Sequence, residues 1–362
     1  MRYLYYVVME DIHEQSPLGH RMMHISQDPG VSDFYITPWE QLCYKRNGKL
    51  TFDSFVYQPS FAMEIQAGTA DYAQSLGGRR YRVNRMVTRG RYRWVMRLLP
   101  EDIPAPEDIA VPAAAMKAFM EAKNGIFLVC GPTGSGKSTT IASMVLARAL
   151  RRQEHVISFE DPIEYVYPSE TPSLISQREM GSDEHDFGYS LRAALRQAPD
   201  VIIIGEIRDG ETAEIALQAA ETGHVVVATL HTSSAAQTVQ RFIKLVPAER
   251  VENAVLSFAD AMIGIMCQQL LFDESKDKRF AIHELLLKYD SVCAIIRASE
   301  FKKLDHELEA GFSRGMMDFE RSLQMREYEG WYSSKRKATG YSDHEVREYL
   351  DKENLLPADR DQ

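Results

Sequence analysis

GPTGSGKST, residues 131–139, is the stretch that decides the fold predicted for this sequence. An apolar run at 126–130 precedes it and predicts a buried strand, while residues 137–151 carry apolar side chains at helical spacing. The stretch satisfies the pattern G-x-x-x-x-G-K-[ST] in full. In that pattern, glycines let successive backbone N–H groups face one anion at the positive end of the new helix. The sequence therefore predicts a phosphate-binding loop between a strand and a helix.

This loop predicts ATP and Mg²⁺ as ligands. The ammonium group of Lys137 would neutralise the outer phosphates, and the hydroxyl of Ser138 would bind the magnesium ion that they carry. The alternative is a chance glycine-rich turn, which would require neither a strand before it nor a helix after it. The residues of this stretch expected to contact the nucleotide are Gly131, Thr133, Gly134, Ser135, Gly136, Lys137, Ser138 and Thr139.

The composition is that of a globular protein with more than one domain. The length of 362 residues exceeds what one hydrophobic core usually serves. The formal net charge of -10 argues against nonspecific binding to nucleic acid, which needs a basic surface, so no nucleic-acid partner is expected. No apolar run reaches the roughly 18–20 residues of a membrane-spanning helix. A cytoplasmic protein without an integral membrane segment is expected. The cysteines are far apart and are expected to be buried and reduced: Cys43, Cys130, Cys267 and Cys293.

Residues 1–100 predict a separate domain built on an antiparallel sheet. Short β-rich stretches occur at 3–9 and 31–37, and Arg46-Asn47-Gly48-Lys49 predicts a tight hairpin turn. The run RRYRVNRMVTRGRYRWVMR, at 79–97, holds eight arginines in nineteen residues, which predicts two strands with one cationic face. This face either binds a polyanion such as a triphosphate or is a solvated edge protected by charge.

A linker at 101–110, rich in proline and acidic residues, leads to a domain at 111–290 in which predicted strands alternate with helices. That alternation indicates a mostly parallel sheet with both faces covered. C-terminal helices are expected within 291–335, followed by a polar tail at 336–362. Besides 126–130, the predicted strands are 156–160, 201–204, 224–230 and 280–287. Besides 137–151, the predicted helices are 111–123, 189–197, 211–221, 291–299, 305–310 and 317–328.

Acidic residues follow two of these strands, at the edge where ligands bind in parallel sheets. Glu164 ends the sequence Asp161-Pro162-Ile163-Glu164 after the strand at 156–160, and Glu206 follows the strand at 201–204, with Arg208 and Asp209 just beyond. Triphosphate hydrolysis needs a metal, positive charge and a base that activates water, so these acids are candidates. The alternative for each acid is a helix cap or a surface charge. His231, after the strand at 224–230, either senses the terminal phosphate or is structural.

Three stretches resemble a known family. FEDPIEYVY, SLISQREMGSDEHDFGYSLRAALRQAPDVIIIGEIRD and TGHVVVATLHTSSA are similar to the Asp box, the Walker B region and the His box of the secretion and type IV pilus motor ATPases. Within that superfamily the chain most resembles the pilus retraction ATPases and their paralogues. The resemblance implies a PAS-like α+β N-terminal domain and a RecA-like ATPase domain of the α/β class. It also implies a homo-hexameric ring that acts on an inner-membrane platform protein and converts ATP-driven domain closure into filament movement.

The resemblance also assigns roles. Glu164 corresponds to the general base of the Asp box, and Glu206 to the Walker B acid that supports the magnesium ion and its water. The catalytic set that follows is Glu164, Glu206, Lys137 and His231. The remaining expected contacts to the nucleotide are His224 in the His box and two N-terminal-domain arginines that approach the phosphates of a neighbouring site, Arg82 and Arg97.

Two features separate the chain from parts of that superfamily. SVCAIIRAS, at 291–299, matches the retraction-associated motif only loosely, so an accessory to a paralogous motor is also a possible role. The longer N-terminal part and the four-cysteine zinc insert of assembly and type II secretion motors are absent from the sequence. Three alternatives stay open: a traffic ATPase of a conjugation or type IV secretion apparatus, a RecA-like nucleic-acid motor, and an ATP-binding regulatory subunit with little turnover.

Overall fold

A computed structural model describes residues 16–47, 49–58, 71–180, 186–273, 276 and 278–330. The strand predicted at 3–9 and the tail predicted at 336–362 lie outside these residues. The chain divides into two compact units. The first contains the described residues up to Ile103 together with Asp161–Val166 and 178–180, and the second contains the rest. The change from one to the other between Ile103 and Pro104 lies within 101–110.

The first unit is a six-stranded antiparallel sheet with one helix packed against it. The strands occur in the order β3-β2-β1-β6-β5-β4. Its buried core is rich in aromatic side chains, among them Phe34, Tyr81 and Trp94. The elements are α1 (Pro17–Ser26), β1 (Val31–Ile36), β2 (Gln41–Arg46), β3 (Lys49–Val56), β4 (Asp71–Leu76), β5 (Arg79–Thr88) and β6 (Arg91–Leu98).

Helix α1 is not among the predicted elements, yet its sequence contains a complete start signal. The hydroxyl of Ser16 accepts a hydrogen bond from the Gly19 backbone N–H at 2.8 Å, and Pro17 occupies the first helical position. Leu18, Met22 and Ile25 then recur at helical spacing and are buried against the sheet. Burial of this apolar face explains why a short helix is stable in a region otherwise made of strands.

The arginine-rich hairpin has most of its strand arginines on one face, so the predicted single cationic face is only partly correct. In the β5–β6 register Arg82 lies opposite Arg97, and directly opposite residues share one face of the sheet. Tyr81, Val83 and Met96 alternate with them and are buried on the other face, in the core. Arg85 is an exception, because it lies opposite Trp94 on the apolar face. The period-two pattern therefore concentrates the arginines on one face without separating charged from apolar side chains completely.

The second unit is a seven-stranded sheet in the order β13-β12-β7-β11-β10-β8-β9, and its α/β class is confirmed. Strands β12, β7, β11, β10 and β8 are parallel, while β13 is antiparallel to β12. The strands are β7 (Gly125–Cys130), β8 (His155–Glu160), β9 (Leu174–Glu179), β10 (Val201–Ile204), β11 (Val225–Leu230), β12 (Met262–Asp273) and β13 (Lys278–Leu287). The last two residues of β9 fall in the first unit.

Helices connect these strands and continue to residue 328. They are α2 (Ala113–Glu121), α3 (Lys137–Ala149), α4 (Phe187–Ala194), α5 (Gly210–Glu221), α6 (Ala235–Leu245), α7 (Val251–Ala261), α8 (Asp290–Arg297), α9 (Lys303–Ala310) and α10 (Phe319–Tyr328). Strands β9 and β12 and helices α6 and α7 are not predicted from the sequence. Strand β12 belongs to a long, mostly buried run, 262–273, without the alternation that marks a half-exposed strand. Within the described ranges, no helix is long and apolar enough to cross a membrane.

Side chains of helix α10 cover the outer edge of β13, which would otherwise present unpaired backbone groups. The hydroxyl of Ser322 accepts a hydrogen bond from the His283 N–H at 2.9 Å, and Arg326 Nε donates to the Ala281 carbonyl at 3.2 Å. Arg326 Nη2 also donates to the carbonyl of Ala110 at 2.5 Å. One buried guanidinium thus joins the end of the sheet to the segment through which the chain enters this unit.

Candidate nucleotide-binding site

The predicted phosphate loop connects β7 to α3, and its glycines are required by close contacts. Gly131 has a φ of 146° and Gly136 a φ of 90°, a region that side chains disfavour. A Cβ atom on Gly131 would lie 2.4 Å from the backbone carbonyl oxygen of Gln268. A Cβ atom on Gly136 would lie 2.8 Å from the side-chain Nε2 of Gln268. Thr133, Gly134 and Ser138 are exposed. The open loop and the helix start fit the phosphates of a nucleotide.

Lys137, Glu206 and His231 form a connected chain of polar contacts. The Lys137 ammonium donates to the carbonyls of Gly131 at 2.9 Å and Pro132 at 3.0 Å, and it lies 3.5 Å from His231 Nδ1. The other ring nitrogen of His231 lies 3.4 Å from a carboxylate oxygen of Glu206. Side chains from three separate parts of the sequence therefore meet beside the loop.

Parallel pairing explains why these residues converge. Strand β11 pairs with β7, so that Leu230 lies opposite Cys130, and it pairs with β10 on its other side. The carboxyl ends of all three strands therefore meet at one edge of the sheet, which is where ligands bind in this class of fold. Arg208 completes the group, because its Nε donates to the second oxygen of Glu206 at 2.7 Å.

Glu164 lies in the first unit, with Arg82 beside it. Arg82 donates to both carboxylate oxygens of Asp71, at 3.1 Å and 2.7 Å, and its Nη1 lies 3.7 Å from Glu164 Oε1. The hydrogen bonds that Arg82 donates to Asp71, with the charges of Asp71 and Glu164, raise the pKa of Arg82. The predicted general base and one predicted phosphate-contacting arginine therefore form one cluster.

Glu179 is a residue of this cluster that the sequence analysis missed. Its carboxylate accepts a hydrogen bond from the Ile163 N–H at 3.1 Å and another from the Ala73 N–H at 3.1 Å. The buried acid thus attaches the backbone next to Glu164 to strand β4. It lies within a stretch that carries the family resemblance, but its position follows no spacing rule that could have identified it.

Arg97 also lies on the cationic face of the first unit, where its Nε donates to Asp33 at 3.0 Å. Its side chain is 69% exposed, so most of the guanidinium is open to a ligand or to another chain. Asp33 is buried. The Nε atom of Arg97 is therefore fixed by Asp33, while the two terminal nitrogens of the guanidinium group remain accessible.

Two other residues highlighted by the sequence lie elsewhere or have a local role. The structure does not place His224 with the loop: it precedes β11, at the end opposite His231, about 20 Å away for six residues of strand. Its ring contacts the carbonyl of Ala219 at 3.0 Å. Asp209 caps helix α5 by accepting from the Thr212 N–H at 2.8 Å, which is the alternative considered for such acids.

Two buried polar residues of the last hairpin were also missed. Gln268 on β12 contacts the phosphate loop. Glu284 on β13 accepts a hydrogen bond from the Ala235 N–H at 2.6 Å, at the start of the helix that follows His231. Burial raises the pKa of Glu284 to about 7. A polar residue that interrupts a buried run is the sequence signal that could have identified each of them.

A strand, a glycine-rich loop with a lysine and a helix, with an acid and a histidine on neighbouring strands, define a P-loop nucleoside triphosphatase. Residues 79–305 match the family model described as type II/IV secretion system protein. The chain belongs to that family. The predicted family membership and the RecA-like class of the ATPase domain are confirmed.

Individual relatives cover most of the chain. The uncharacterized protein YggR of Escherichia coli K12 is 40% identical over 270 residues, 74% of this chain and 82% of YggR. The type IV pilus ATPase PilU of Pseudomonas aeruginosa is 34% identical over 321 residues, 84% of this chain and 83% of PilU. The crystal structure of the pilus retraction motor PilT with bound ADP matches with a TM-score of 0.78 and 30% identity, covering 92% of this chain and 97% of that chain.

Proposed function

We propose that this protein is an ATP-hydrolysing motor of a type IV pilus machine, acting in retraction or as an accessory to it. The observation that carries the proposal is the connected chain from Lys137 through His231 to Glu206 beside a complete phosphate loop. This arrangement supplies positive charge, a carboxylate and a histidine where the terminal phosphate of ATP would lie. The likeness to PilT and PilU supports the choice of machine.

The residues of the two clusters have complementary roles in this proposal. The loop amides and Lys137 would hold the phosphates, and Ser138 would bind Mg²⁺ directly, with Glu206 acting through a water molecule. When bound, Mg²⁺ would neutralise charge on the phosphates. Glu164 would accept the proton of the attacking water. The guanidinium groups of Arg82 and Arg97 would stabilise the negative charge that develops on the transferred phosphoryl group.

We further propose a homo-hexameric ring in which the arginines of one subunit serve the site of its neighbour. An exposed Arg97 and a half-exposed Arg82 support this, since both guanidinium groups are accessible from outside their own unit. The proposed domains are 1–100, the ATPase domain 111–290 and the C-terminal helices 291–335, joined by the linker 101–110. The partners would be the inner-membrane platform protein of the pilus, which would bring the motor to the membrane, and a paralogous motor ATPase.

Phosphate release by the purified full-length chain tests the enzymatic part of the proposal. We expect Mg²⁺-dependent hydrolysis of ATP, and native mass spectrometry with ATP and Mg²⁺ should show six copies. Nucleotide binding without turnover would instead indicate a regulatory subunit. Turnover that depends on single-stranded DNA would indicate a nucleic-acid motor.

Deletion of the gene, with imaging of surface pili, tests the biological part. A retraction motor predicts more surface pili and loss of twitching, because filaments would still be assembled but not withdrawn. An accessory to retraction predicts weaker twitching with pili still present. Cells without pili would contradict retraction in favour of assembly. Unchanged pili with impaired protein or DNA export would favour the type IV secretion apparatus.

A further inference from the structure

Strand β12 passes directly beside the phosphate loop. In the parallel pairing of β12 with β7, Cys267 lies opposite Cys130, the residue that precedes Gly131. Gln268, the next residue of β12, therefore lies beside Gly131, where the loop begins. Its side chain is among the most buried polar groups of the second unit, with 3% of its surface exposed.

Both ends of the Gln268 amide bond to the loop and its helix. Nε2 donates to the carbonyl of Ser135 at 2.6 Å, and Oε1 accepts from the Thr140 hydroxyl at 2.8 Å. The loop also packs closely against Gln268: a Cβ on Gly136 would collide with its side-chain Nε2, and a Cβ on Gly131 would collide with its backbone carbonyl oxygen. One planar amide thus links the middle of the loop to the first turn of α3.

We propose that Gln268 is the positioning residue of the phosphate loop, a role that rests on the nucleotide binding proposed above. A loop whose amides already point at one anion loses less conformational freedom when it binds phosphate. The two hydrogen bonds of Gln268 supply that order. Leaving the buried Ser135 carbonyl without a donor would cost free energy, so its bond to Gln268 is maintained. Both hydrogen bonds of the side chain are made to the loop and its helix, so it acts through the Ser135 backbone and the Thr140 hydroxyl.

The chemistry of both bonds requires an amide of this length. A glutamate could accept from Thr140, but an ionised carboxylate cannot donate to the Ser135 carbonyl and would place negative charge below the phosphates. A methionine fills a similar volume but makes neither bond. An asparagine keeps the amide but is shorter by one methylene, so it cannot reach both partners.

The test compares ADP binding by the full-length Gln268→Met variant and the unmodified chain. We expect the Kd for ADP to rise about tenfold, because the Ser135 carbonyl loses its donor and the loop is no longer pre-ordered. We also expect faster hydrogen exchange of the amides of 133–137 in the absence of nucleotide. The matched control is Gln269→Met, one residue along the same strand, with a half-exposed side chain that alternation directs to the opposite face.

A purely structural role for Gln268 predicts a different result: a lower unfolding temperature, with Kd and exchange of the loop unchanged in the folded protein. That result would overturn the proposal. If Gln268→Met does not fold, Thr140→Val removes one of the two bonds at nearly constant volume, and unchanged ADP affinity in that variant would have the same meaning. Failure of the unmodified chain to bind ADP would count against the proposed function itself.

Discussion

The two clusters of proposed functional residues are held in different ways. In the second unit, the phosphate loop is fixed by glycines that permit positive φ and by a hydrogen bond from the buried Gln268. In the first unit, ion pairs between half-exposed side chains hold Arg82 and Glu164, and such pairs are weak and exchange partners readily. The phosphate loop is therefore pre-organised, whereas Arg82 and the proposed base, Glu164, are held less firmly.

Lys137→Ala should have the largest effect on ATP hydrolysis, because it removes positive charge from the pre-organised phosphate loop. We expect the rate of ATP hydrolysis to fall about 1000-fold, since the loss of a fixed group that stabilises the transition state costs on this scale. Phosphate release measures it. Lys117→Ala, on the exposed face of α2, is the control and should leave the rate unchanged. Turnover close to that of the unmodified protein would remove Lys137 from the mechanism.

Glu164→Gln tests the proposed base in the first unit. We expect hydrolysis to slow about 100-fold, because the amide cannot accept the proton of the attacking water. ADP affinity should stay the same, since the phosphate loop is untouched. Glu170→Gln, an exposed acid nearby in the sequence, provides the control. Equal turnover in both variants would show that another group activates the water.

Asp71→Asn tests whether the orientation of Arg82 matters. Because Asp71 binds two nitrogens of the guanidinium, its loss should lower the hydrolysis rate about fivefold to tenfold while ADP affinity is retained. The chain provides a matched control in Asp53, which binds Arg21 through the same two-bond geometry away from Glu164. A similar loss of activity in Asp53→Asn would indicate general destabilisation of the first unit.

Glu284→Gln should have the smallest effect of these substitutions. It should change the pH dependence of the stability of the protein. The pKa of Glu284 is raised to about 7 by burial, with smaller effects of Asp305 and Asp318, while the Ala235 N–H opposes the shift. A raised pKa favours folding below the ordinary carboxyl pKa and loses that contribution as the pH rises through about 7.

We therefore expect this variant to gain about 2–4 °C in unfolding temperature at about pH 8, relative to the unmodified chain, and less at about pH 5. Calorimetry of both proteins at the two pH values measures the difference. An equal difference at both values would show that Glu284 does not titrate in this range.

Local sequence patterns were sufficient for the parts of the site in which chemistry and chain order coincide. The pattern at 131–139 predicts the loop because strand, glycines and helix are consecutive. Glu206 and His231 are predictable because each follows a buried strand, and parallel strands bring their ends together. The cationic face around Arg82 and Arg97 follows from alternation within two adjacent strands.

The parts that were missed depend on contacts between distant segments. Gln268 meets Thr140, 128 positions earlier, and Glu179 meets Ala73, 106 positions earlier, so neither pairing has a local signature. His224 is a separate case, and its expected contact with the nucleotide stays a prediction. It belongs to a recognisable box, but in the chain itself strand β11 separates it from the phosphate loop.

The covered edge of β13 bears on how the protein can be shortened without harm. Ser322 and Arg326 occupy backbone groups of that strand which would otherwise bind a strand from another molecule. A protein that ended before Phe319 would expose this edge and release the carbonyl of Ala110 at the same time. The exposed strand could then pair with β13 of another copy. Helix α10 therefore protects this edge against aggregation.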